Sequence, residues 1–497
     1  MKKIIMTGAT LLMALIMAAP SFAAMETKVS GTFTLDGVLN HNPAMADDDD
    51  GKETVSYREM ELRINTETQI TDKIKFLTRV DILDKLLSSQ FSNTVQNEDD
   101  DNIQFDRAWM EVTSPVGLFR IGRKEGVKWG TDFFDDGNDY GTDRAEWIVP
   151  IEMGDDKLYL VAVTEKALET TETNRDNDKY YVTGTYVTKE FKTGLLLGFY
   201  NYNSQMQEDW GTTSAAGLTG DLGAFGAAYA AYVATPSPAT GAALVGAATT
   251  MGTDLRAYTP RVDGEVIYAA PYFKGMLGPI SLNAEFGYIT GELELKPDPA
   301  AAAAMNALVA AGLSADQYAK KDVEMMCFWL EVGLPTEQTN VQLGYAFLSG
   351  DKDGMTGDVE NAGSLGQGED WEKVFILTGD NHGMDETLGG DGNILNVGSD
   401  MNTAGMNLMY LNGSFNVNES LTLSGLFAYA MAAEEPAGYD DDYGMELDLG
   451  LSVKFMGNLE YKAVAAYLMA GDFWKKGVAG AEVDDVVALY HELILSF

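Results

Sequence analysis

Residues 101–143 read DNIQFDRAWMEVTSPVGLFRIGRKEGVKWGTDFFDDGNDYGTD. Positions 103–113 alternate with period two, as a strand with two unlike faces does. Ser114-Pro115-Val116-Gly117 has the residues of a tight turn, with proline at its second position and glycine at its fourth. A second short strand, 118–122, leads into a loop rich in glycine and aspartate. Arg107 and Arg120 stand on the strands, and Asp132, Asp135, Asp136 and Asp139 stand in the loop. Whether this hairpin and its long acidic loop decide a fold depends on whether the rest of the chain repeats them.

It does repeat them. In 54–70, Met60, Leu62 and Ile64 share one face, while Glu59, Glu61 and Arg63 share the other. In 73–83, Ile74, Phe76, Val80 and Ile82 oppose Lys75, Arg79 and Asp81. A half-buried sheet in a soluble protein alternates in the same way, so the connections must arbitrate. Short ones fall at 71–72, 114–117, 154–156, 189–193, 275–279, 335–339, 417–419 and 456–458. Long ones fall at 41–53, 84–100, 124–143, 166–177, 205–260, 296–320, 351–401, 432–443 and 475–484. Short and long take turns, and eight turns with nine loops imply eighteen strands. That asymmetry predicts an all-β chain folded as a transmembrane antiparallel up-and-down β-barrel, with turns at one rim and long loops at the other. Sixteen strands is the nearest alternative, because 144–153 is a weak strand; a further hairpin inside 205–260 would raise the count.

The last strand has the clearest alternation. Val487, Leu489, Leu493, Leu495 and the terminal Phe497 share a face, interrupted by His491. A closed barrel has no free edge, so this strand must pair with the first, 26–39. Two loops carry helix signals. Asp298 and Pro299 can cap and start a short alanine-rich helix that Gly312 ends, and 223–234 reads as helix or strand. Tyrosine and phenylalanine recur near strand ends, among them Tyr180, Tyr181 and Tyr272, as interfacial girdles require.

Composition narrows the class. The 497 residues are 22% charged and 45% apolar, with mean hydropathy -0.12. That is too apolar for disorder and too polar for a bundle of membrane helices. Residues 1–23 read as a cleaved Sec signal peptide: Lys2 and Lys3, an apolar stretch 4–19, then Ser21-Phe22-Ala23. An uncleaved anchor helix is the other reading of that stretch. Residues 24–497 then form one barrel domain, with the loop 124–143 folding inward. The net charge of -42 makes nucleic acid and anionic membrane surfaces poor partners. Cys327 is alone, so no disulfide forms within the chain. His41, His382 and His491 have no zinc spacing and build no catalytic triad, and no glycine-rich phosphate loop follows a strand. No cofactor, no metal and no enzymatic activity is expected.

At this point the chain resembles the porin family of Gram-negative outer membranes. The resemblance spans the signal peptide, the rhythm of strands and loops, and the terminal Phe497. Its most local part is Phe119-Arg120-Ile121-Gly122-Arg123, then Gly126, then Asp132-Phe133-Phe134-Asp135-Asp136-Gly137. General porins carry a similar Gly-Arg at a strand end before an acidic, aromatic loop that folds into the pore. The loop here lacks the family's Pro-Glu-Phe-Gly-Gly core, and the barrel is larger than the usual sixteen strands. The resemblance implies passive diffusion of small hydrophilic solutes and ions, usually through a homotrimer. It implies residence in the outer membrane, among lipid and lipopolysaccharide, and an insertion signal ending in Phe497. It makes Arg123 a constriction arginine and Asp132, Asp135 and Asp136 the loop carboxylates that face it.

Strand phase supplies a second set of wall residues. A charge at mid-bilayer costs roughly 2–4 kcal/mol, so the charged face of each strand should be the lumen. That puts Arg63, Arg79, Arg107 and Arg120 inside, beside Glu61, Asp81 and Glu111. Arg123 has the opposite phase and faces the pore only if the strand ends or bulges at Gly122. Arginines facing Asp132, Asp135, Asp136 and Asp139 would set a transverse field, and the acidic surplus predicts cation preference. The alternative is that these charges are solvated lumen residues that offset one another. Two other functions stay open: a substrate-selective channel gated by loops 205–260 and 351–401, and an outer-membrane enzyme or adhesin with His382 as its only candidate base. Fractionation tests the class: the chain is expected in the membrane pellet, released only by detergent, whereas release by osmotic shock would assign a soluble periplasmic β-protein.

Overall fold

The computed structural model describes residues 26–43, 45, 54–86, 103–126, 128–134, 141–168, 177–204, 215–235, 237, 239–240, 242–247, 250, 261–296, 306, 320–351, 358–360, 371, 373–378, 404–435, 438–475 and 482–497. The stretch read as a signal peptide, most of the 298–312 helix signal, His382, and Asp135, Asp136 and Asp139 lie outside them.

The described residues form eighteen strands. They are β1 (Glu26–His41), β2 (Thr54–Thr71), β3 (Ile74–Leu86), β4 (Ile103–Ser114), β5 (Gly117–Lys124), β6 (Thr142–Met153), β7 (Asp156–Leu168), β8 (Asn177–Val187), β9 (Phe191–Ser204), β10 (Arg261–Leu277), β11 (Ile280–Lys296), β12 (Lys320–Pro335), β13 (Thr339–Leu348), β14 (Met406–Asn416), β15 (Leu421–Met431), β16 (Asp442–Phe455), β17 (Leu459–Ala470) and β18 (Val486–Ser496). Each pairs antiparallel with its sequence neighbours, and β1 pairs with both β2 and β18, so the sheet closes on itself. The short and long connections fall where the sequence puts them. The weak stretch 144–153 is a full strand, β6, paired along its length with β7, which removes the sixteen-strand alternative. Inside 205–260 the described residues hold a helix, α1 (Ala215–Ala234), instead of another hairpin.

Closure rests on the two ends of the chain. Thr32 pairs with Ser496 and the ladder runs to His41 opposite Val487. Beyond it, Gly31 N donates to Phe497 O at 2.8 Å and Phe497 N donates to Gly31 O at 3.0 Å. The Phe497 ring lies over Gly31, where a Cβ would come within 2.7 Å of the ring and 2.4 Å of Arg63 O. Only glycine fits there. His491 lies on the apolar side of β18, over Gly37 and stacked on Tyr461 with ring centroids 6.1 Å apart.

The two faces of the barrel invert the arrangement of a soluble protein. Phe105, Leu343 and Leu449 are 68%, 63% and 60% exposed, whereas Glu285, Glu331 and Glu446 are 1%, 1% and 0% exposed. On β16 the parity is plain: Glu446 and Asp448 are buried, and Leu447 and Leu449 beside them are exposed. Apolar side chains point out and carboxylates point in. Only a hydrocarbon surround makes that pattern stable over a whole sheet. Some aromatics expected in the girdles turn inward instead. Tyr180 is exposed, but Tyr181, Tyr272 and Tyr443 are buried on the opposite phase.

Leu449→Arg should destabilise the barrel by about 2–4 kcal/mol, the cost of a cation near mid-bilayer. Urea unfolding in liposomes measures it; an unchanged midpoint would take β16 out of the membrane.

Candidate functional site

The inward face of β2–β6 carries a ladder of ion pairs. Arg63 contacts Glu61 at 2.6 Å and Asp81 at 3.2 Å. Arg79 contacts Asp81 and Asp106, both at 3.1 Å. Arg107 contacts Asp106 at 2.8 Å and Glu125 at 2.8 Å. Arg120 contacts Glu111 at 2.8 Å. Arg144, Lys124 and Arg120 approach Glu146 at 2.8, 3.2 and 3.7 Å. Phase explains most of this ladder, because cross-strand partners such as Glu111–Arg120 and Arg120–Glu146 share a face.

One step needs more than phase. Arg79 and Arg107 are directly opposite each other on β3 and β4. Like charges so placed repel. A register shift after Arg79 leaves Asp106 as an extra residue, so that Phe105 points out while Asp106 turns in with Arg107. Its Oδ2 then stands between both guanidinium groups, 3.1 Å from one and 2.8 Å from the other. The bulge is what makes the arginine pair tenable.

Arg123 is not part of this ladder. β5 continues without a register shift to Lys124, so Arg123 keeps the phase of the exposed Ile121. Its side chain is half exposed and forks onto Asp143, at 2.9 and 3.0 Å. Gly122 has a φ of 133° but does not redirect the strand. Sequence reasoning missed Asp106, Lys124, Arg144 and Glu146. The last two alternate correctly in the sequence, but the strand that carries them looked weak.

Residues 125–126 and 128–134 leave this wall and reach another. Glu125 is held by Arg107 Nη1 on β4, and Gly126 O accepts from Arg144 Nη2 at 3.3 Å. Trp129 Nε1 donates to Ala270 O at 2.9 Å, and its ring meets Tyr272 edge-on at 5.0 Å. Thr131 N donates to Glu285 Oε2 at 2.7 Å, and its hydroxyl donates to the same oxygen. Phe134 packs on Tyr268, and Phe133 on Trp329 and Trp371. From Glu125 to Thr131 the chain spans at most about 20 Å. Around the wall, β4 and β11 are seven strand spacings apart, about 34 Å. The segment therefore runs as a chord across the interior. Gly130, at φ 56°, makes the close approach possible: a Cβ would lie 2.8 Å from the Tyr272 ring and 2.9 Å from Glu285 Oε2. Asp132, at φ 68°, sits between the two anchors Thr131 and Phe133, on the β11–β12 side.

A second inward segment, Trp371 with 373–378, was not expected. Glu446 on β16 accepts the amides of Ile376 and Leu377 at 2.6 and 2.8 Å, and Asp448 accepts that of Phe375 at 3.2 Å. Lys373 lies 3.5 Å from Glu331 and 4.9 Å from the centre of the Trp329 ring. Val374, Ile376 and Leu377 are fully buried. Trp371 joins the two segments, with its ring 5.1 Å from Phe133 and 6.2 Å from Tyr410. The available sequence signal was an apolar run, Val374 to Leu377, inside an acidic glycine-rich loop. Such a run cannot rest in water and must find a wall.

Together the segments pack a buried cluster that includes Phe133, Trp329, Trp371 and Tyr410 against the inner wall. The β5–β10 side keeps a cavity of about 660 Å³. Among the described residues no group of three or more His, Cys, Asp or Glu is placed to hold a metal ion.

No family model matches the chain, and no curated protein sequence matches it. Among solved structures, the chain is similar to OmpT, an outer membrane protein of Vibrio cholerae folded in vitro, at 10% identity over 97% of this chain and 100% of that one, with a TM-score of 0.40. It is similar to Pseudomonas aeruginosa OccK8 (OprE) at 13% identity over 96% of this chain and 100% of that one, with a TM-score of 0.46. A BenF-like porin from Pseudomonas fluorescens Pf-5 gives 12% identity over 96% and 100%, with a TM-score of 0.46.

Glu285→Ala leaves two buried donors of Thr131 without their acceptor, at a cost of about 1–3 kcal/mol each. Residues 129–134 should loosen, and trypsin should cut after Lys128 faster than in the parent. An unchanged cleavage rate would show that Glu285 does not hold the segment.

Proposed function

We propose that the chain is an outer-membrane channel through which small hydrophilic solutes and ions diffuse passively. The carrying observation is the closed barrel with its apolar face outward and its ionisable face inward. A wall of that kind solvates polar solutes inside and lipid outside. In this reading residues 125–134 form the constriction. Arg63, Arg79, Arg107 and Arg120 line its wall, and Arg123 is left out because its side chain lies on the other face. The wall arginines pair with wall carboxylates, so Asp132, Asp135, Asp136 and Asp139 contribute as loop charges and not as the arginines' main partners. Export through the Sec route, a homotrimer, and contact with lipopolysaccharide complete the proposal. Phe497 serves as the insertion signal in it, and Phe497 pairing with Gly31 is compatible with that role.

A second reading, a substrate-selective channel, is favoured by the two inward segments. With their buried aromatic cluster they take up part of the interior beside the cavity. Restricted passages choose among solutes by size and by the few polar groups they present. On ion preference the net charge and the lumen disagree. The whole chain is strongly acidic, but seven cationic side chains line the described cavity against three carboxylates. Local charges govern a narrow passage, because screening acts over about 8 Å at physiological salt. In this reading ion preference follows the cavity lining and not the net charge of the chain.

Purified protein in planar bilayers should give discrete current steps, and proteoliposomes should swell in small sugars and less in larger ones. Absence of both would overturn the channel reading.

A further inference from the structure

From the cavity beside β5–β10 we infer that the channel carries a binding site for small oxyanionic solutes, bearing carboxylate or phosphoryl groups. The inference rests on the channel reading and names its solute class. The cavity runs along the wall from residues 125–130 down to the short turn between β8 and β9. At its upper end Glu146 is the shared partner of three cations, Arg120, Lys124 and Arg144. One carboxylate cannot offset three charges: Glu111 pairs with Arg120 alone among them, and Glu125, which also lines the cavity, pairs with Arg107 and Lys128.

At the lower end the surplus is clearer. Lys192 on β9 and Lys274 on β10 are directly opposite each other. They share the phase of the buried Leu196 and Tyr272, so both point inward, and both line the cavity. Among the described residues neither has an ion-pair partner. Two like charges placed opposite each other on one face repel, and an anion between them removes that cost. Their backbones are about 5 Å apart, which lets two ammonium groups share one oxyanion.

The rest of the lining suits a small organic or inorganic oxyanion better than a bare halide. Thr183 and Thr185 supply hydroxyl donors, and Val161 and Val163 supply an apolar wall. A volume of about 660 Å³ is in the range of small-molecule sites. The acidic groups elsewhere on the chain weaken anion entry only within a Debye length, about 8 Å. Lys192 and Lys274, exposed at the cavity's lower end, act on a solute there within that distance.

The test uses the full-length protein in planar bilayers under a potassium chloride gradient. The reversal potential should show chloride preferred over potassium. Lys192→Glu with Lys274→Glu should lower the chloride-to-potassium permeability ratio by about threefold or more, the effect of a change of order kT in local potential. Lys192→Gln with Lys274→Gln should lie between, and guards against misfolding of the acidic variant. Succinate and inorganic phosphate are then added separately at millimolar concentration. Block of the chloride current by succinate alone assigns carboxylate solutes, block by phosphate alone assigns phosphoryl solutes, and either supports the site. Potassium preference in the parent, equal reversal potentials in all three proteins, or block by neither anion overturns it while leaving the channel reading intact. Absence of current in every salt overturns the channel reading and the site with it.

Discussion

A strand crossing hydrocarbon has no water to complete its hydrogen bonds, so each N–H and C=O must find a partner strand. The rest of this structure depends on that constraint. It forces the first and last strands together, and the chain satisfies it to its final residue, where Phe497 exchanges both backbone hydrogen bonds with Gly31. Once the sheet is closed, period-two alternation gives each strand one side for lipid and one for the interior. Leucines such as Leu343 and Leu449 then belong outside, and carboxylates such as Glu446 belong inside.

The interior solves a second problem, which closure creates. Carboxylates enclosed there need compensation. On β2–β6 they receive it from arginine and lysine, in a ladder that ends at Glu146. On β11 and β16 they receive it from backbone amides: Glu285 from Thr131, Glu446 from Ile376 and Leu377. Amide donors bring chain with them. The buried carboxylates of β11 and β16 are thus the anchors that draw two connecting segments inward, and Phe133 and Trp371 pack where those segments meet. The wall with guanidinium partners needs no inward segment to compensate its carboxylates and leaves open space beside it.

Much of this was legible in residues. Phase alone put Arg79, Asp81, Arg107 and Arg120 inside, because alternation is local. It failed at Asp106, where a bulge turns two successive residues inward to relieve Arg79 facing Arg107. Arg123 rested on resemblance, and its strand phase is opposite to that of Arg120: Gly122 adopts a positive φ, yet pairing with Asp143 keeps the strand in register. Tyr181 and Tyr272, expected in the girdles, point inward because their neighbours in sequence already occupy the outward phase.

The sequence by itself determined the alternation of turns and loops and which face of each strand carries charge, and both follow from spacing between near neighbours. It pointed to eighteen strands, and the pairing of β6 with β7 settled that number. The tertiary structure decided what fills the barrel. Trp371 meets Phe133, Thr131 meets Glu285, and Ile376 meets Glu446 across long separations in the chain. No local period encodes such meetings. They arise because closure buries certain carboxylates and apolar runs, and each must then find a partner on a distant element.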